Sequence, residues 1–250
     1  MLIPASLIIF ISRKTNYLIG VFAVFLIGNT VFSQNLVVNP SFEQVHEIVP
    51  KWSSSFSKFN SRMKHWESPT QGSPDILFVE LLDKMVPNRP KVDLSDYKPR
   101  TGKFMVGIKT FGCKTEVPHC KEYLQVKLTK PLQIGETYYF EYWINPVSTS
   151  VKVNGMGLLL TLERHYDPQN EGLIDLYPID IQEEVIDASN TWHKISGEFE
   201  ADDQYAYLMI GNFLDDHGYI DFKPEPDGLE YGFYLIDDVL LKPVRPGIPV

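Results

Sequence analysis

Aromatic, carboxylate and amide side chains recur at alternate positions in several β-prone runs of this sequence. Successive residues of a strand point to opposite faces, so each run is expected to carry these side chains on one face and apolar residues on the other. Aromatic rings stack on the C–H faces of sugars, and amides and carboxylates bond to sugar hydroxyls. If the strands share one sheet, its outer face is therefore a candidate ligand-binding surface. Its six members are Tyr139, Glu141, Trp143, Tyr205, Tyr207 and Gln125.

A second interpretation of the same pattern is structural. The segment from Pro50 to Arg100 is rich in Ser, Pro, Asp and Lys and predicts long loops. If these loops cover the outer face, the outward aromatic residues form a second core instead of a ligand surface. The same choice, between a ligand platform and a structural anchor, applies to Trp52, Trp66 and Trp192. The residue pattern leaves both interpretations open.

The chain lacks the sequence signatures of common hydrolases and nucleotide-binding enzymes. It has no Gly-x-Ser-x-Gly elbow, no His-Glu-x-x-His motif and no phosphate-binding glycine loop. Glu141 and Glu163 both have outward positions on predicted strands, and a pair of carboxylates is what a glycosidase needs. Solvated charge on a strand face is the simpler interpretation of each. We therefore expect a protein without catalytic activity.

The first 33 residues are typical of a cleaved signal peptide. Arg13 and Lys14 precede an apolar stretch from Tyr17 to Gly28 that is short for a membrane span, and Ser33 fits the last position before a cleavage site. We therefore expect an exported protein with no membrane span after cleavage. The alternative is a longer membrane anchor that also includes the apolar residues 2–11.

The composition of the chain is acidic. Its formal net charge is −9, and removal of the predicted signal peptide, which carries two basic residues and no acidic ones, takes the charge to −11. Nucleic acids and anionic lipids bind clustered Lys and Arg, so an acidic surface argues against both as partners.

The chain contains two cysteines, Cys113 and Cys120, separated by a turn-like segment that includes Pro118. Exported proteins fold in an oxidising compartment, where a local disulfide is the natural pairing. A metal site would need more ligands than the nearby His119 supplies. We therefore expect a disulfide between Cys113 and Cys120.

The rest of the pattern predicts one all-β domain. Short alternating runs are bounded by Gly, Pro, Asn or Asp, and helical character is confined to one short piece at 76–85. Many short strands without intervening helices indicate a sandwich or a barrel. We expect one module over residues 34–242 and a Pro-rich tail over residues 243–250. The predicted strands are 104–109, 122–128, 138–144, 158–163, 193–199 and 205–210.

Both ends of this domain resemble the terminal strands of a galactose-binding-like jelly roll, the fold of many carbohydrate-binding modules. The resemblance is carried by the runs Asn35–Glu43 and Tyr234–Leu241. It implies a jelly-roll β-sandwich with long loops that binds a glycan without catalysis. Because one fold hosts many functions, the glycan is implied by the resemblance and by the aromatic positions together.

Four internal motifs resemble an N-terminal module of Bacteroidetes OmpA-family outer-membrane proteins. They are HWESPTQGSPD at 65–75, EYLQVKL at 122–128, WHKISGEF at 192–199 and LMIGNF at 208–213. The resemblance implies a place in the periplasm or outer membrane of a Gram-negative bacterium, with a glycan or an envelope protein as partner. The sequence departs from the family pattern because no OmpA-like domain follows the module in its 250 residues. The alternative function is a structural or protein-interaction module that packs against an envelope protein through the same aromatic face.

The resemblance to jelly-roll modules also implies a structural calcium ion. In those modules carboxylates of the first and last strands help to hold the metal, which makes Glu43, Asp237 and Asp238 the candidate ligands. Calcium prefers about six to eight oxygen ligands, so backbone carbonyls of adjoining loops would complete the site. The alternative is that these residues are solvated charges at strand ends.

Overall fold

The computed structural model describes residues 34–85, 92, 94–112, 121–170, 172–215, 222–223 and 226–244. The predicted signal peptide, the expected Cys113–Cys120 disulfide and residues 245–250 of the predicted tail lie outside these ranges. The described strands are β1 Trp66–Glu67, β2 Asp75–Phe78, β3 Phe104–Phe111, β4 Leu124–Lys127, β5 Thr137–Pro146, β6 Lys152–Val153, β7 Met156–Thr161, β8 Asp180–Ile181, β9 His193–Glu200, β10 Tyr207–Asn212, β11 Phe222–Lys223 and β12 Gly232–Pro243.

Two five-stranded antiparallel sheets form a sandwich. Sheet I has the strand order β1-β4-β10-β7-β8, and sheet II has the order β2-β3-β12-β5-β9. Strands β6 and β11 pair separately as a small ribbon. The predicted all-β jelly-roll sandwich is therefore confirmed.

Alternate residues of the central strands fill the space between the two sheets. In β5 the core side chains are Tyr138, Phe140, Tyr142 and Ile144, as the alternation in the sequence predicts. Each buried side chain of this size stabilises the fold by roughly 1.5–3 kcal/mol relative to exposure. The same alternation in β4, β10 and β12 sends every second residue away from this core, onto the outer faces of the sheets.

The piece predicted as helical at 76–85 is a strand in its first half. Asp75–Phe78 pairs with β3 as β2, with Leu77 fully buried. A 3₁₀ turn at Val79–Leu81 and helix α2 at Leu82–Met85 follow. A further helix, α1 at Phe56–Arg62, lies in the segment predicted as long loops. Within the described ranges no helix is long and apolar enough to cross a membrane.

The run Asn35–Glu43 is not the terminal strand that the sequence predicts. Asn39 and Phe42 adopt positive φ angles of 53° and 60°, a conformation that breaks an extended strand. Asparagine tolerates this region, but phenylalanine gives no sequence signal for it. The prediction of a strand here is therefore wrong.

The same run nevertheless lies alongside the last strand, as expected. The Leu36 N–H donates to the Leu241 carbonyl at 2.7 Å, and the Val239 N–H donates to the Pro40 carbonyl at 2.9 Å. The Asn35 side chain adds two bonds, donating to the Val239 carbonyl at 2.9 Å and accepting from the Leu241 N–H at 3.0 Å. We call these four contacts the end pairing.

Candidate functional site

The residues predicted to form one ligand surface lie on opposite outer faces of the sandwich. Tyr139, Glu141 and Trp143 belong to β5 in sheet II, whereas Gln125 and Tyr207 belong to β4 and β10 in sheet I. The expectation that these strands share one sheet is therefore wrong. Alternation within a strand indicates which residues leave the core, but it carries no information about which sheet the strand joins. Ligand binding by these residues stays a prediction, now for two separate surfaces.

Three half-exposed side chains of β5 form a row whose members bond to one another. The Tyr139 hydroxyl donates to Glu141 Oε2 at 2.7 Å, and Trp143 Nε1–H donates to Glu141 Oε1 at 3.3 Å. Partial burial and the bond to Glu141 raise the pKa of Tyr139. We call these residues the sheet II row. Each oxygen of Glu141 therefore already accepts one bond from within the row.

Arg100 covers one side of the sheet II row. Its guanidinium carbon lies 3.8 Å from the centroid of the Trp143 ring, and its Nη1 donates to Asp238 Oδ2. A cation over an exposed aromatic ring gains about 0.5–1 kcal/mol. Arg100 thus occupies one of the two faces of the Trp143 ring on which a sugar could stack.

A second apolar cluster covers another part of the outer face of sheet II. Met105, Phe233 and Leu235 are buried there, packed with apolar residues of the segment from Leu77 to Tyr97. Residues from the segment 50–100 do cover this part of the face, but the side chains that they bury are not the outward aromatic residues for which the sequence left a second core open. The cluster does not extend over the sheet II row, whose side chains remain half exposed.

Trp52, Trp66 and Trp192 are structural anchors. Trp66 is buried in the main core, and Trp52 and Trp192 pack at the edge of the second cluster. Each indole N–H donates to a backbone carbonyl, at 2.8 Å for Trp52, 2.9 Å for Trp66 and 3.0 Å for Trp192. The structural interpretation of these residues fits their positions, since apolar packing and the N–H bond are both satisfied.

On sheet I, Gln125 fastens a loop to the outer face. The residue is fully buried; its Nε2 donates to Glu67 Oε1 at 2.8 Å and to the His165 carbonyl at 3.0 Å. Its Oε1 accepts the His165 N–H at 2.9 Å. Arg164 adds a forked ion pair to Glu67, with bonds of 2.7 and 2.5 Å. We call the described residues 162–170 and 172–178 the covering segment.

The covering segment buries the centre of this face. Ile174 packs with Tyr123, Leu159 and Met209, and its backbone N–H donates to the Tyr123 hydroxyl at 3.1 Å. The loops that cover sheet I thus come from a different part of the chain from those that cover sheet II. Gln125, whose amide is engaged in these contacts, lies beneath the segment and not on an open surface.

Tyr205 lies outside the surface on which the sequence places it. Strand β10 begins only at Tyr207, so the alternation does not extend back to Tyr205, which packs against the edge of the main core. Its hydroxyl donates to Asp202 Oδ1 at 2.6 Å, and this bond raises the pKa of Tyr205 to about 12. The expectation that Tyr205 accompanies Tyr207 on the outer face is wrong.

A groove of about 530 Å³ opens on sheet I beside Tyr207. Tyr207 and Lys127 are paired neighbours on β10 and β4, and the Lys127 ammonium lies 5.9 Å from the centroid of the Tyr207 ring. We call this space the sheet I groove. Its lining residues are Lys127, Leu128, Thr129, Lys130, Pro131, Leu162, Glu163, Arg164, Ala206 and Tyr207.

Sequence reasoning placed Tyr207 on an outer face but did not assemble the rest of the groove. Lys127 has an outward position in the predicted strand 122–128, so the alternation could have identified it. Lys130 and Arg164 lie in turns after β4 and β7, where no periodic signal exists. Only the antiparallel pairing of β4, β10 and β7 brings these turns together.

The three candidate calcium ligands converge on the turn formed by residues 100–104. Glu43 Oε1 accepts two backbone N–H bonds from this turn at 2.8 and 2.9 Å, and Asp237 Oδ2 accepts two at 2.8 and 3.2 Å. Asp238 Oδ1 accepts the Thr101 hydroxyl at 2.6 Å. In the described part of the chain no three His, Cys, Asp or Glu side chains are grouped so that they could hold a metal ion. Structural calcium stays a prediction.

Asp237 is the most perturbed of these carboxylates. Burial and the neighbouring Asp238 charge raise the pKa of Asp237 to about 8, although backbone N–H donors from residues 100, 101 and 238 act in the opposite direction. Its side chain is fully buried and follows Leu235 on the outer side of β12, opposite Trp143 of the sheet II row. It therefore lies at the border between the covered cluster and the open row.

Comparison with known proteins finds similarity only among solved structures. No protein-family model matches the chain, and neither does any curated protein. The CBM22-1 xylan-binding domain of Xyn10C from Paenibacillus barcinonensis is 13% identical with a TM-score of 0.39, covering 74% of this chain and 88% of that domain. TmCBM61, solved in complex with β-1,4-galactotriose, is 12% identical with a TM-score of 0.35, covering 85% and 100%.

A third similar structure is a cleaved adhesin domain of Lys-gingipain from Porphyromonas gingivalis. It is 11% identical with a TM-score of 0.39, covering 82% of this chain and 96% of that domain. At these identities the similarity concerns the fold alone. The resemblance to an OmpA-family module stays a prediction.

Proposed function

We propose that this protein is an exported glycan-binding module whose ligand lies in the sheet I groove. The observation that carries the proposal is the open groove of about 530 Å³ beside the half-buried ring of Tyr207. The groove combines this ring with the Thr129 hydroxyl and charged side chains, and such a mix stacks on sugar rings and bonds to their hydroxyls. The sheet II row offers a ring too, but Arg100 lies only 3.8 Å from the centroid of the Trp143 ring, whereas Lys127 lies 5.9 Å from that of Tyr207.

The proposal includes binding without catalysis. Among the described residues that line the groove, Glu163 is the one carboxylate, whereas glycosidases use two flanking carboxylates. A place in the envelope of a Gram-negative bacterium rests on the predicted signal peptide and the motif resemblance. Fractionation of cells that produce the full chain tests this part: recovery in the cytoplasm would contradict it.

The groove is tested by a glycan array probed with residues 34–250 in calcium-containing buffer. We expect binding to one class of sugar. Tyr207→Ala should then weaken binding by about tenfold or more, which corresponds to about 1.4 kcal/mol of lost stacking. Tyr139→Ala, which removes the same side chain from the opposite face, is the matched control and should bind like the wild type.

Two outcomes would overturn this assignment. Loss of binding in Tyr139→Ala or Trp143→Ala, with binding retained in Tyr207→Ala, would move the site to the sheet II row. If the folded wild-type protein bound no glycan on the array, this result would contradict glycan binding altogether.

The second candidate function is a protein-interaction module, and one observation favours it. The covering segment exposes apolar side chains to solvent, with Tyr177 at 96% exposure and Leu162, Tyr166 and Leu176 also exposed. Adjacent exposed apolar residues are typical of protein contacts. An envelope protein that binds the wild type but not Tyr177→Ser, with no glycan bound by either, would establish this function instead.

We also propose that calcium binds at the turn of residues 100–104, where it would neutralise the buried Asp237 carboxylate. The raised pKa of Asp237 supports this, because a buried carboxylate beside a second negative charge is stabilised by a cation. Calcium should raise the melting temperature by mass action, and the chelator EGTA should reverse the effect. An unchanged melting temperature would remove the metal from the proposal.

A further inference from the structure

Basic side chains concentrate in the sheet I groove of an otherwise acidic protein. The whole chain carries a formal charge of −9, yet the groove is lined by Lys127, Lys130 and Arg164 and by one described carboxylate, Glu163. The local sign of charge is therefore opposite to that of the molecule. A concave surface of one sign raises the local concentration of ligands of the opposite sign.

The three cations are not equivalent. Arg164 is held in a forked pair by Glu67, so its charge is largely compensated within the protein. Within the described ranges Lys127 and Lys130 form no ion pair with a carboxylate, and both side chains are exposed. Two ammonium groups thus remain available to a ligand in the groove.

The Lys127 ammonium lies over the Tyr207 ring on which a sugar would stack. It is 5.9 Å from the centroid of the Tyr207 ring, and the two residues are directly paired across β4 and β10. A pyranose ring placed against Tyr207 would bring its ring substituents within reach of this ammonium. A carboxylate or sulfate at that position would gain a charge-assisted hydrogen bond, which is stronger than a bond to a neutral hydroxyl.

We propose that the ligand of the sheet I groove is an anionic polysaccharide, one whose sugar rings carry carboxylate or sulfate groups. Lys127 and Lys130 bind the anionic groups, and Tyr207 stacks on the ring that carries them. This inference rests on the proposed function of the groove and names its class of ligand.

The test uses two polysaccharides that share a backbone and differ in charge. Polygalacturonate and its fully methyl-esterified form are titrated into residues 34–250 by calorimetry at low salt. We expect polygalacturonate to bind at least about tenfold more tightly, since charge-assisted hydrogen bonds are stronger than their neutral counterparts. Added salt should reduce the difference, because the lysines are exposed. A sulfated galactan in the same titration distinguishes sulfate from carboxylate as the preferred group.

Matched variants assign the preference to the groove. Lys127→Gln should remove most of the difference between the charged and esterified polymers. Lys242→Gln is the control, because the Lys242 ammonium lies 5.5 Å from the Tyr139 ring in a similar pair on the opposite face. Tyr207→Ala should weaken binding of both polymers. Polyglutamate, an anion without sugar rings, should not bind.

The outcomes separate this inference from the function on which it rests. Equal binding of neutral and anionic polymers, still sensitive to Tyr207→Ala, would overturn the charge preference and leave a glycan-binding groove. A preference that survives the double variant Lys127→Gln, Lys130→Gln, or equal binding of polyglutamate, would also overturn it. Failure of all glycans to bind, in an array as well as in these titrations, would overturn both proposals.

Discussion

The two outer faces of the sandwich are built from similar strands but are covered by other parts of the chain in different ways. On sheet II, described apolar residues between Leu77 and Tyr97 bury one part of the face, and the self-bonded row of Tyr139, Glu141 and Trp143 occupies another. On sheet I, the covering segment buries the centre, and a groove remains open at Tyr207. The outward aromatic residues of this molecule therefore lie in three kinds of environment: they are buried under a loop, bonded to their neighbours in a row, or exposed in a groove.

The difference teaches that loops, and not strands, decide where a ligand can bind. Each sheet places alternate side chains outward by the same geometry. The segments that then pack over them determine which rings become core and which stay accessible. The predictions below test this distinction, beginning with the largest expected effect.

Phe233→Ala tests the covered part of sheet II. Phe233 is fully buried on the outer side of β12, and its ring lies 6.2 Å from that of Trp52. The substitution should lower the free energy of unfolding by about 3–5 kcal/mol, because it leaves a cavity under the loop. Urea denaturation measures the loss, and Phe233→Leu, which keeps most of the apolar volume, should cost less than Phe233→Ala. A loss below about 1 kcal/mol for Phe233→Ala would show that this face is not a core.

The pH dependence of stability tests the border between the covered cluster and the open row. The pKa of Asp237 is about 8 in the folded state and lies near 4 in the unfolded chain, so the folded state binds this proton more tightly. Its contribution to stability is therefore fully present below about pH 4 and is lost as the pH rises through 8. Across this window the wild type should lose up to about 5 kcal/mol relative to Asp237→Asn, in calcium-free buffer.

Urea denaturation of both proteins at several pH values measures this difference. Asp238→Asn serves as the control, because it keeps the Asp237 carboxylate but removes the neighbouring charge that raises its pKa. This variant should therefore lose stability over a narrower range of pH than the wild type. Parallel stability curves for the wild type and Asp237→Asn would contradict the assignment.

Gln125→Ala tests how the covering segment is held on sheet I. The substitution leaves the His165 backbone N–H and carbonyl without their partner and should cost about 1–3 kcal/mol. It should also speed tryptic cleavage after Arg164, since the segment loses its attachment. Gln133→Ala, at an exposed position, is the matched control and should change stability by less than about 0.5 kcal/mol. Equal behaviour of the two variants would show that Gln125 does not anchor the segment.

Trp143→Ala tests the open row of sheet II and should have the smallest effect. The side chain is half exposed and gains mainly from its contact with Arg100, so the loss should stay below about 1 kcal/mol. Thermal unfolding measures it. Glycan binding in the sheet I groove should be unchanged. A loss comparable with that of Phe233→Ala would place Trp143 in a core and remove the distinction between the two parts of sheet II.

Much of the sandwich could be predicted from the sequence, because strand formation leaves a local signal. The alternation of 138–144 gave both the existence of β5 and its buried side. Sheet membership leaves no such signal, since it depends on contacts between distant strands. The groove depends on that membership and on turns without periodicity, so only Tyr207 of its lining was predicted as a ligand residue. The prediction of a strand over Asn35–Glu43 failed for a local reason, because Asn39 and Phe42 adopt positive φ angles.

The end pairing has a mechanical consequence. The segment at Asn35–Pro40 runs antiparallel to the segment at Val239–Leu241, with Asn35 and Leu241 at the open end of the pair. A force that pulls these two residues apart loads the hydrogen bonds one after another, as in a zipper, and not all together in shear. Each bond contributes only about 1 kcal/mol. This corner of the sandwich should therefore yield at low tension. The Leu36 carbonyl also accepts the Thr129 N–H at 2.9 Å, so the load reaches a residue that lines the sheet I groove.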